Sequence, residues 1–280
     1  MISSTSNNRV KRLAALVRKA KCRREEQVFI VEGVRMFQEA PPEWVKEVYL
    51  AESFLNRHVK QGQNKADRDL KEFLKTFQYE VLSDEVFQKV SDTQTPQGVL
   101  CVLSMPQYVL SEHIENWMDA MERGGKPPLL VLLEDLQDPG NLGTILRAGE
   151  GAGVSGIIMT RQTADIFNPK VIRATMGSIY RVPFFIVDGL SGTIELLRQK
   201  GIAVYAAHLD DSVDYDEPDY TRPASFLVGN EGKGLRRETA DRASQYIRIP
   251  MEGQVESLNA AAAATVLMYE AARQRRRYTG

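Results

Sequence analysis

From Leu129 onward the chain alternates between apolar runs of strand character and segments of helical periodicity. Strands are expected at residues 129–133, 156–159, 182–187, 202–208, 225–228 and 246–249. Helices fall between them at 142–150, 169–179, 191–200 and 236–243, and a long closing helix covers 258–275. Strands joined by single helices imply a mostly parallel sheet covered on both faces. Ligands of such sheets bind at the carboxyl ends of the strands. Asn168 followed by Pro169 marks a helix start, a capping residue before a proline in the first turn.

The preceding part has a different rhythm. Val10, Leu13, Ala14, Leu16, Val17 and Ala20 recur at helical spacing over residues 8–20, with Arg9, Lys11, Arg12, Arg18 and Lys19 largely off that stripe. Short strands follow at 28–31, 45–50, 79–82 and 99–103, with helices at 65–77 and 84–90, forming a small α/β unit. Residues 114–121 could form a helix, and Gly124-Gly125-Lys126-Pro127-Pro128 is a breaker cluster. The linker is placed there.

Three segments lie where strands meet helices. The first is Asn141-Leu142-Gly143-Thr144-Ile145-Leu146-Arg147, after a turn made by Pro139 and Gly140, with Asn141 able to cap the helix. The second is Gly229-Asn230-Glu231-Gly232-Lys233-Gly234, whose glycines let a ligand approach bare backbone. In the third, Ile249-Pro250-Met251 leads through a loop to Ser257-Leu258-Asn259, where Ser257 reads as the N-cap of the last helix. An arginine, an acid, a hydroxyl and amides without histidine suit a reaction in which a cofactor carries the reactive group. Ala260 to Ala264 leave the last helix almost without side chains, which implies close helix packing within the chain or across a dimer.

Several other patterns carry less. Gly151-Ala152-Gly153-Val154-Ser155-Gly156 matches a dinucleotide fingerprint, but it ends a helix and enters a strand, the reverse of the required context. It reads instead as a helix C-cap and tight turn. The six acids between Asp210 and Asp219 lack the glycine and spacing of a calcium loop. His58, His113 and His208 are too scattered for a triad or a metal site, although His208 ends a strand at the ligand-binding edge. No metal is expected. Cys22 and Cys101 are unpaired in sequence and fit a reducing compartment, and no apolar stretch approaches the ~20 residues of a membrane span.

A net charge of −1 hides basic ends. Residues 1–24 contain Arg9, Lys11, Arg12, Arg18, Lys19, Lys21, Arg23 and Arg24 with no acid, and Arg273, Arg275, Arg276 and Arg277 close the chain. Local contact with a polyanion is expected at the N-terminus, where a mitochondrial transit peptide is the competing reading. For the C-terminal run, complementing the helix dipole is an equal alternative.

The three segments resemble the signature motifs of the SpoU–TrmH family of SPOUT RNA ribose methyltransferases. N-x-G-x-x-x-R is matched by Asn141, Gly143 and Arg147; G-x-E-G-x-G by Gly229, Glu231, Gly232 and Gly234; and I-P-M…S-L-N by Ile249 to Met251 and Ser257 to Asn259. The similarity covers residues 129–272. It extends more weakly to the N-terminal part, where Phe29 to Gly33 and the basic helix before them resemble the family's substrate-binding domain, which sets the transit-peptide reading aside. The family often has Asn-Pro ahead of the first helix, where this chain has Asn7-Asn8.

The resemblance implies a knotted (trefoil) C-terminal α/β methyltransferase domain over 128–280, a linker at 106–127 and a small α/β RNA substrate-binding domain over 1–105. It implies S-adenosylmethionine as cofactor, held largely by backbone at Gly229, Ile249, Met251 and Leu258, and a homodimer with the site at its interface. The expected reaction is methyl transfer to a ribose 2′-hydroxyl, with Arg147, Asn141, Glu231, Ser257 and Asn259 as catalytic set. Asn141 and Asn259 are expected to orient Arg147, which either accepts the proton with help from the substrate phosphate or grips that phosphate. Arg9, Lys11, Arg12, Arg18, Lys19, Arg23 and Arg24 are expected to contact RNA. Ribosomal RNA, of the 23S type, is favoured over transfer RNA because a separate domain precedes the catalytic one. A transfer-RNA enzyme and a catalytically silent RNA-binding or ribosome-assembly protein are the alternatives. The cytoplasm is the expected location.

Overall fold

A computed structural model of the chain describes residues 1–62, 64–209 and 211–278; Asp210, first of the acidic stretch, lies outside the described residues. The chain forms two compact units, one of Met1–Gln107 with Asp165–Tyr180 and one of Tyr108–Ala164 with Arg181 to the C-terminus. Among the described residues no helix is long and apolar enough to cross a membrane.

The first unit is built on β1 (Val28–Glu32), β2 (Val45–Ala51), β3 (Tyr79–Leu82) and β4 (Val99–Ser104), in the order β1-β4-β2-β3. The pairs with β4 are antiparallel and β2–β3 is parallel. Its first helix ends sooner than the apolar stripe suggests. Asn7 caps Asn8–Arg18, the backbone turns extended at Lys19, and a second helix runs Ala20–Glu26. The break leaves carbonyls without helical partners, and the Nη1 of Arg23 donates to Leu16 O and Val17 O at 2.7 and 3.1 Å. Arg23 also pairs with Asp165 and is 2 % exposed.

Residues 165–180 belong to this unit although they continue the strand–helix alternation of the other. Phe167 packs on Phe29, Arg173 pairs with Asp92 at 2.8 Å, and Tyr180 Oη donates to Met36 O at 2.9 Å. The helix Pro169–Thr175 starts on the Asn168 cap as expected, but ends at Met176, whose φ of 50° is left-handed.

Among the described residues the second unit holds seven parallel strands: β5 (Leu129–Leu133), β6 (Gly156–Thr160), β7 (Phe184–Val187), β8 (Ala203–Ala207), β9 (Val213–Asp214), β10 (Ala224–Val228) and β11 (Gln245–Arg248). Their order is β7-β6-β5-β10-β8-β11-β9, with parallel pairing throughout. Leu130 and Leu132 of β5 join Ile158, Ile194, Leu197 and Leu227 in one core cluster. The alternate residues Leu129, Val131 and Leu133 are equally buried and face the opposite side. Burial on both faces explains why β5 is an uninterrupted apolar run.

Residues 106–127, read as linker, contain the helix Leu110–Glu122, which packs on the first face through Ile114 and Trp117. The other face is covered by Pro139–Ala152 and the C-terminal helix Ala260–Tyr278, which pack on each other. Their approach is close: a Cβ on Gly151 would stand 2.7 Å from Tyr269 Oη, and one on Gly149 3.6 Å from Met268 Sδ. Ala261 and Ala264 are buried, so the small-residue stripe is used at least within the chain. Gly153, at φ 80°, is the left-handed C-cap expected of the reversed fingerprint. Arg275 donates to the carbonyls of Pro127, Pro128, Tyr220 and Arg222. Burial lowers its pKa to about 10.

Candidate active site

The segments that follow β5, β10 and β11 meet in the second unit. The chain leaves β5 at Glu134, which is 1 % exposed. A carboxylate so buried needs donors, and all of them come from the segment after β10. Arg236 N donates at 2.8 Å, Arg236 Nε at 3.1 Å and Thr239 Oγ1 at 2.6 Å. Asp135 follows in the left-handed region, at φ 54°, uncommon for a residue other than glycine. It is held on several sides. Its N–H donates to Thr160 Oγ1, its carboxylate accepts from Arg236 Nη2 at 3.1 Å, and its carbonyl accepts from Asn230 Nδ2 at 2.8 Å.

The 229–234 loop closes on itself through a two-way backbone pair, Asn230 N to Gly234 O at 3.1 Å and Gly234 N to Asn230 O at 2.9 Å. A Cβ on Gly229 would lie 2.3 Å from the carbonyl carbon of Gly234. The loop's own closure therefore requires glycine at 229, beside any need for a ligand to approach.

Glu231 reaches from this loop to the start of the helix after β5. Its Oε1 accepts from Asp138 N at 2.9 Å and from Asn141 Nδ2 at 3.0 Å, and its Oε2 accepts from Gln137 N at 3.0 Å. Burial works to raise its pKa, but those three donors outweigh it and hold the carboxyl below its usual range. Asn141 Oδ1 accepts from Asn259 Nδ2 at 3.0 Å, and Asn259 Oδ1 accepts from Ala261 N at 2.9 Å. One hydrogen-bond relay, Asn259–Asn141–Glu231, thus ties the three segments together, and each amide is oriented from both ends.

This arrangement revises two caps. Asn141 does not cap its helix; Asp138 does, accepting from Asn141 N at 2.8 Å with Pro139 in the first turn. Ser257 does not cap the last helix; Asn259 does. The cap shift frees the Asn141 side chain for the relay and leaves Ser257 exposed. Arg147 is exposed too, and among the described residues it has no ion pair or hydrogen-bond partner. Asn141 and Asn259 hold Glu231 and each other rather than Arg147. His208 stacks on Tyr246, with ring centroids 4.8 Å apart. The sequence reading missed Glu134, Asp135, Arg236 and Thr239. The available signal was the pair of acids directly after five apolar residues, charges that must find partners wherever the strand ends.

The third segment contrasts with the second. From Ile249 to Leu258, backbone and side chains make no hydrogen bond among the described residues. Leu258 and Val255 are 36 % and 61 % exposed. The backbone donors and acceptors of this segment, Ile249, Met251 and Leu258 included, are thus unused among the described residues.

The SpoU rRNA methylase family model matches residues 128–269, and a model described as an MRM3-like substrate-binding domain matches residues 7–101. The chain belongs to the SpoU rRNA methylase family. Its relatives include the 23S rRNA (guanosine(2553)-2′-O)-methyltransferase RlmP of Bacillus subtilis, 30 % identical over 270 residues, which are 96 % of this chain and 97 % of that one. Among solved structures, an AdoMet-bound rRNA methyltransferase from Sinorhizobium meliloti is 30 % identical with a TM-score of 0.77, covering 97 % of each chain. The SpoU methyltransferase AviRb from Streptomyces viridochromogenes, in complex with AdoMet, is 26 % identical with a TM-score of 0.80, covering 98 % of this chain and 100 % of that one. This SpoU chain is therefore a methyltransferase with the SPOUT fold, and the relay joins the family's three motifs.

Proposed function

We propose that the chain transfers a methyl group from S-adenosylmethionine to a ribose 2′-hydroxyl of ribosomal RNA, of the 23S type, in the cytoplasm. The Asn259–Asn141–Glu231 relay carries this reading, because it brings the three motif segments into one site. When bound, the cofactor supplies an electrophilic methyl on a sulfonium. The free backbone of 249–258 and the closed Gly229 loop would hold it.

The remaining work is alignment and charge. A guanidinium offers donors and no acceptor, so Arg147 acts as a clamp. It grips the phosphate beside the reacting ribose and holds the hydroxyl in line, and the proton leaves to phosphate or water. Glu231 fixes the start of the helix that carries Arg147, and Ser257 lines the site from the opposite segment. Arg147 is exposed and without a partner among the described residues, which favours a homodimer in which it serves the neighbouring copy. In the first unit, Arg12 is tied to Glu26 and Glu47, Arg9 to Glu80 and Arg23 is buried. Lys11, Lys19 and Arg24 are exposed without ion pairs among the described residues, and with Arg18 they form the set proposed to meet RNA.

Purified protein given labelled S-adenosylmethionine and 23S rRNA should place the label on ribose, read as alkali-resistant dinucleotides after hydrolysis. Label recovered on a base refutes the proposal. Arg147→Ala should lower turnover by roughly 10³-fold while cofactor affinity stays within about twofold; normal turnover would remove Arg147 from the reaction.

A further inference from the structure

The first unit contains a cavity of about 200 Å³ that the site above does not use. It is bounded by the segment after β2, the helix Asp84–Val90 and the turn entering β4. We propose that it binds one unstacked guanine of single-stranded RNA. The proposal rests on the reading that this chain acts on RNA, and specifies where and how the first unit reads it.

The cavity is built from the chain upward. After β2 a short helical turn, Glu52–Phe54, widens into a π-helical stretch, Leu55–Lys60, with Gln61 N donating to Asn56 O at 3.0 Å. Such wide turns are uncommon and concentrate at functional sites. Here the consecutive residues Arg57 and His58 both line the cavity. Phe54 and Phe87 form an apolar floor, and the His58 ring lies against Phe54 with centroids 4.8 Å apart. Gly98, at φ 89°, closes the base so tightly that a Cβ would stand 2.5 Å from Phe54 Cβ.

The rim is polar and half-used. Asp84 Oδ1 accepts from Ser53 N at 3.1 Å and Ser53 Oγ at 2.7 Å, which fixes the carboxylate and leaves Oδ2 without a partner among the described residues. Gln88 Nε2 donates to Gln94 O at 3.3 Å, leaving its Oε1 as acceptor. Gln97 Oε1 accepts from Val34 N at 3.2 Å, leaving its Nε2 as donor. His58 Nδ1 lies 2.8 Å from Asp67 Oδ1. A proton on Nδ1 donates to that carboxylate and makes Nε2 an acceptor. Arg57 is exposed, with no ion pair or hydrogen bond among the described residues.

These open valences choose a ligand. An apolar, aromatic floor under a ring of hydrogen-bonding groups is how unstacked RNA bases are read, by stacking and along their edges. The volume lies below the roughly 300–1,000 Å³ of drug-sized sites, which suits one base. The unused groups are mostly acceptors, one of them a carboxylate, whose hydrogen bonds are the strong ones. Guanine presents an N–H beside an amino group, two adjacent donors for Asp84 Oδ2 and Gln88 Oε1, with O6 for Gln97 Nε2. Adenine and uracil lack that donor pair. Arg57 would add a phosphate contact that carries no sequence information.

The test is fluorescence anisotropy of the full chain with labelled heptanucleotides UUUGUUU, UUUAUUU and UUUUUUU, alongside methylation of 23S rRNA by the same preparation. The guanine oligomer should bind about tenfold tighter than the other two. Asp84→Asn should abolish that preference while affinity for UUUUUUU stays within about twofold. Gln88→Ala should reduce the preference about threefold, and Arg57→Ala should weaken all three oligomers alike. Arg147→Ala should leave the preference intact. Methylation without guanine preference, or a preference that survives both Asp84→Asn and Gln88→Ala, overturns the pocket assignment alone. Guanine preference without methylation overturns the enzymatic reading and leaves the base-binding pocket standing.

Discussion

Two loops of the second unit follow strands of one parallel sheet, β10 and β11, with β8 between them, yet are built on opposite plans. The segment after β10 is clasped at both ends. Glu134 and Asp135 hold Arg236, Asp135 holds Asn230, and the loop pairs with itself through Asn230 and Gly234. The segment after β11, from Ile249 to Leu258, makes no hydrogen bond among the described residues until Asn259 re-enters the relay. A loop tied to its neighbours and to itself at several points sets geometry. A loop whose main chain is unengaged has valences to offer a ligand. The relay joins the two, and in the proposed function orientation comes from one and binding from the other.

Glu134→Ala should do the most damage. It strands the Arg236 N–H and the Thr239 hydroxyl and leaves the Arg236 guanidinium with Asp135 as its remaining partner, at a cost of about 3 kcal/mol. This would be read as a lower denaturant midpoint with methylation lost in parallel; an unchanged midpoint would show the clasp to be ornamental. Asn141→Ala should cost about 1.5 kcal/mol and lower turnover more than it weakens cofactor binding. Paired with Asn259→Ala it should fall short of additivity, as members of one network do. Strict additivity would dissolve the relay into separate contacts.

Acid should act next. The folded carboxyl of Glu231 sits below its usual range, with burial opposing and the donors from Gln137, Asn141 and Asp138 prevailing. Its contribution is fully present above the unfolded pKa and is lost as pH falls through the folded value. Stability of the second unit should therefore slope downward on acidification, and Glu231→Gln should flatten that slope in a pH series of unfolding curves. A parallel slope in the variant would assign the effect elsewhere. The smallest effect belongs to the open loop: Val255→Ser, at a residue 61 % exposed, should shift stability by no more than about 0.5 kcal/mol.

Much of this plan was legible in the residues. The alternation after Leu129 implied the parallel sheet, Asn168-Pro169 marked a true helix start, and the motif residues Asn141, Glu231 and Asn259 do converge. Caps were harder. Asp138 and Asn141 are both good caps, as are Ser257 and Asn259, and only the backbone angles decide which residue stands just outside the helix. Arginines were hardest. Composition counts Arg12 and Arg23 as basic surface, whereas Arg23 ties down carbonyls exposed by the break at Lys19 and Arg12 bridges Glu26 and Glu47. Nor does periodicity reveal that Asp165–Tyr180 packs with the first unit. A helix face shows that it will be buried and is silent on what buries it.

The difference between the two loops can be measured directly by amide hydrogen exchange with and without S-adenosylmethionine. Residues 251–258 should exchange fast in the free protein and gain strong protection on binding, while residues 229–236 should be protected already and change little. Unchanged exchange across 251–258 at saturating cofactor would contradict the account.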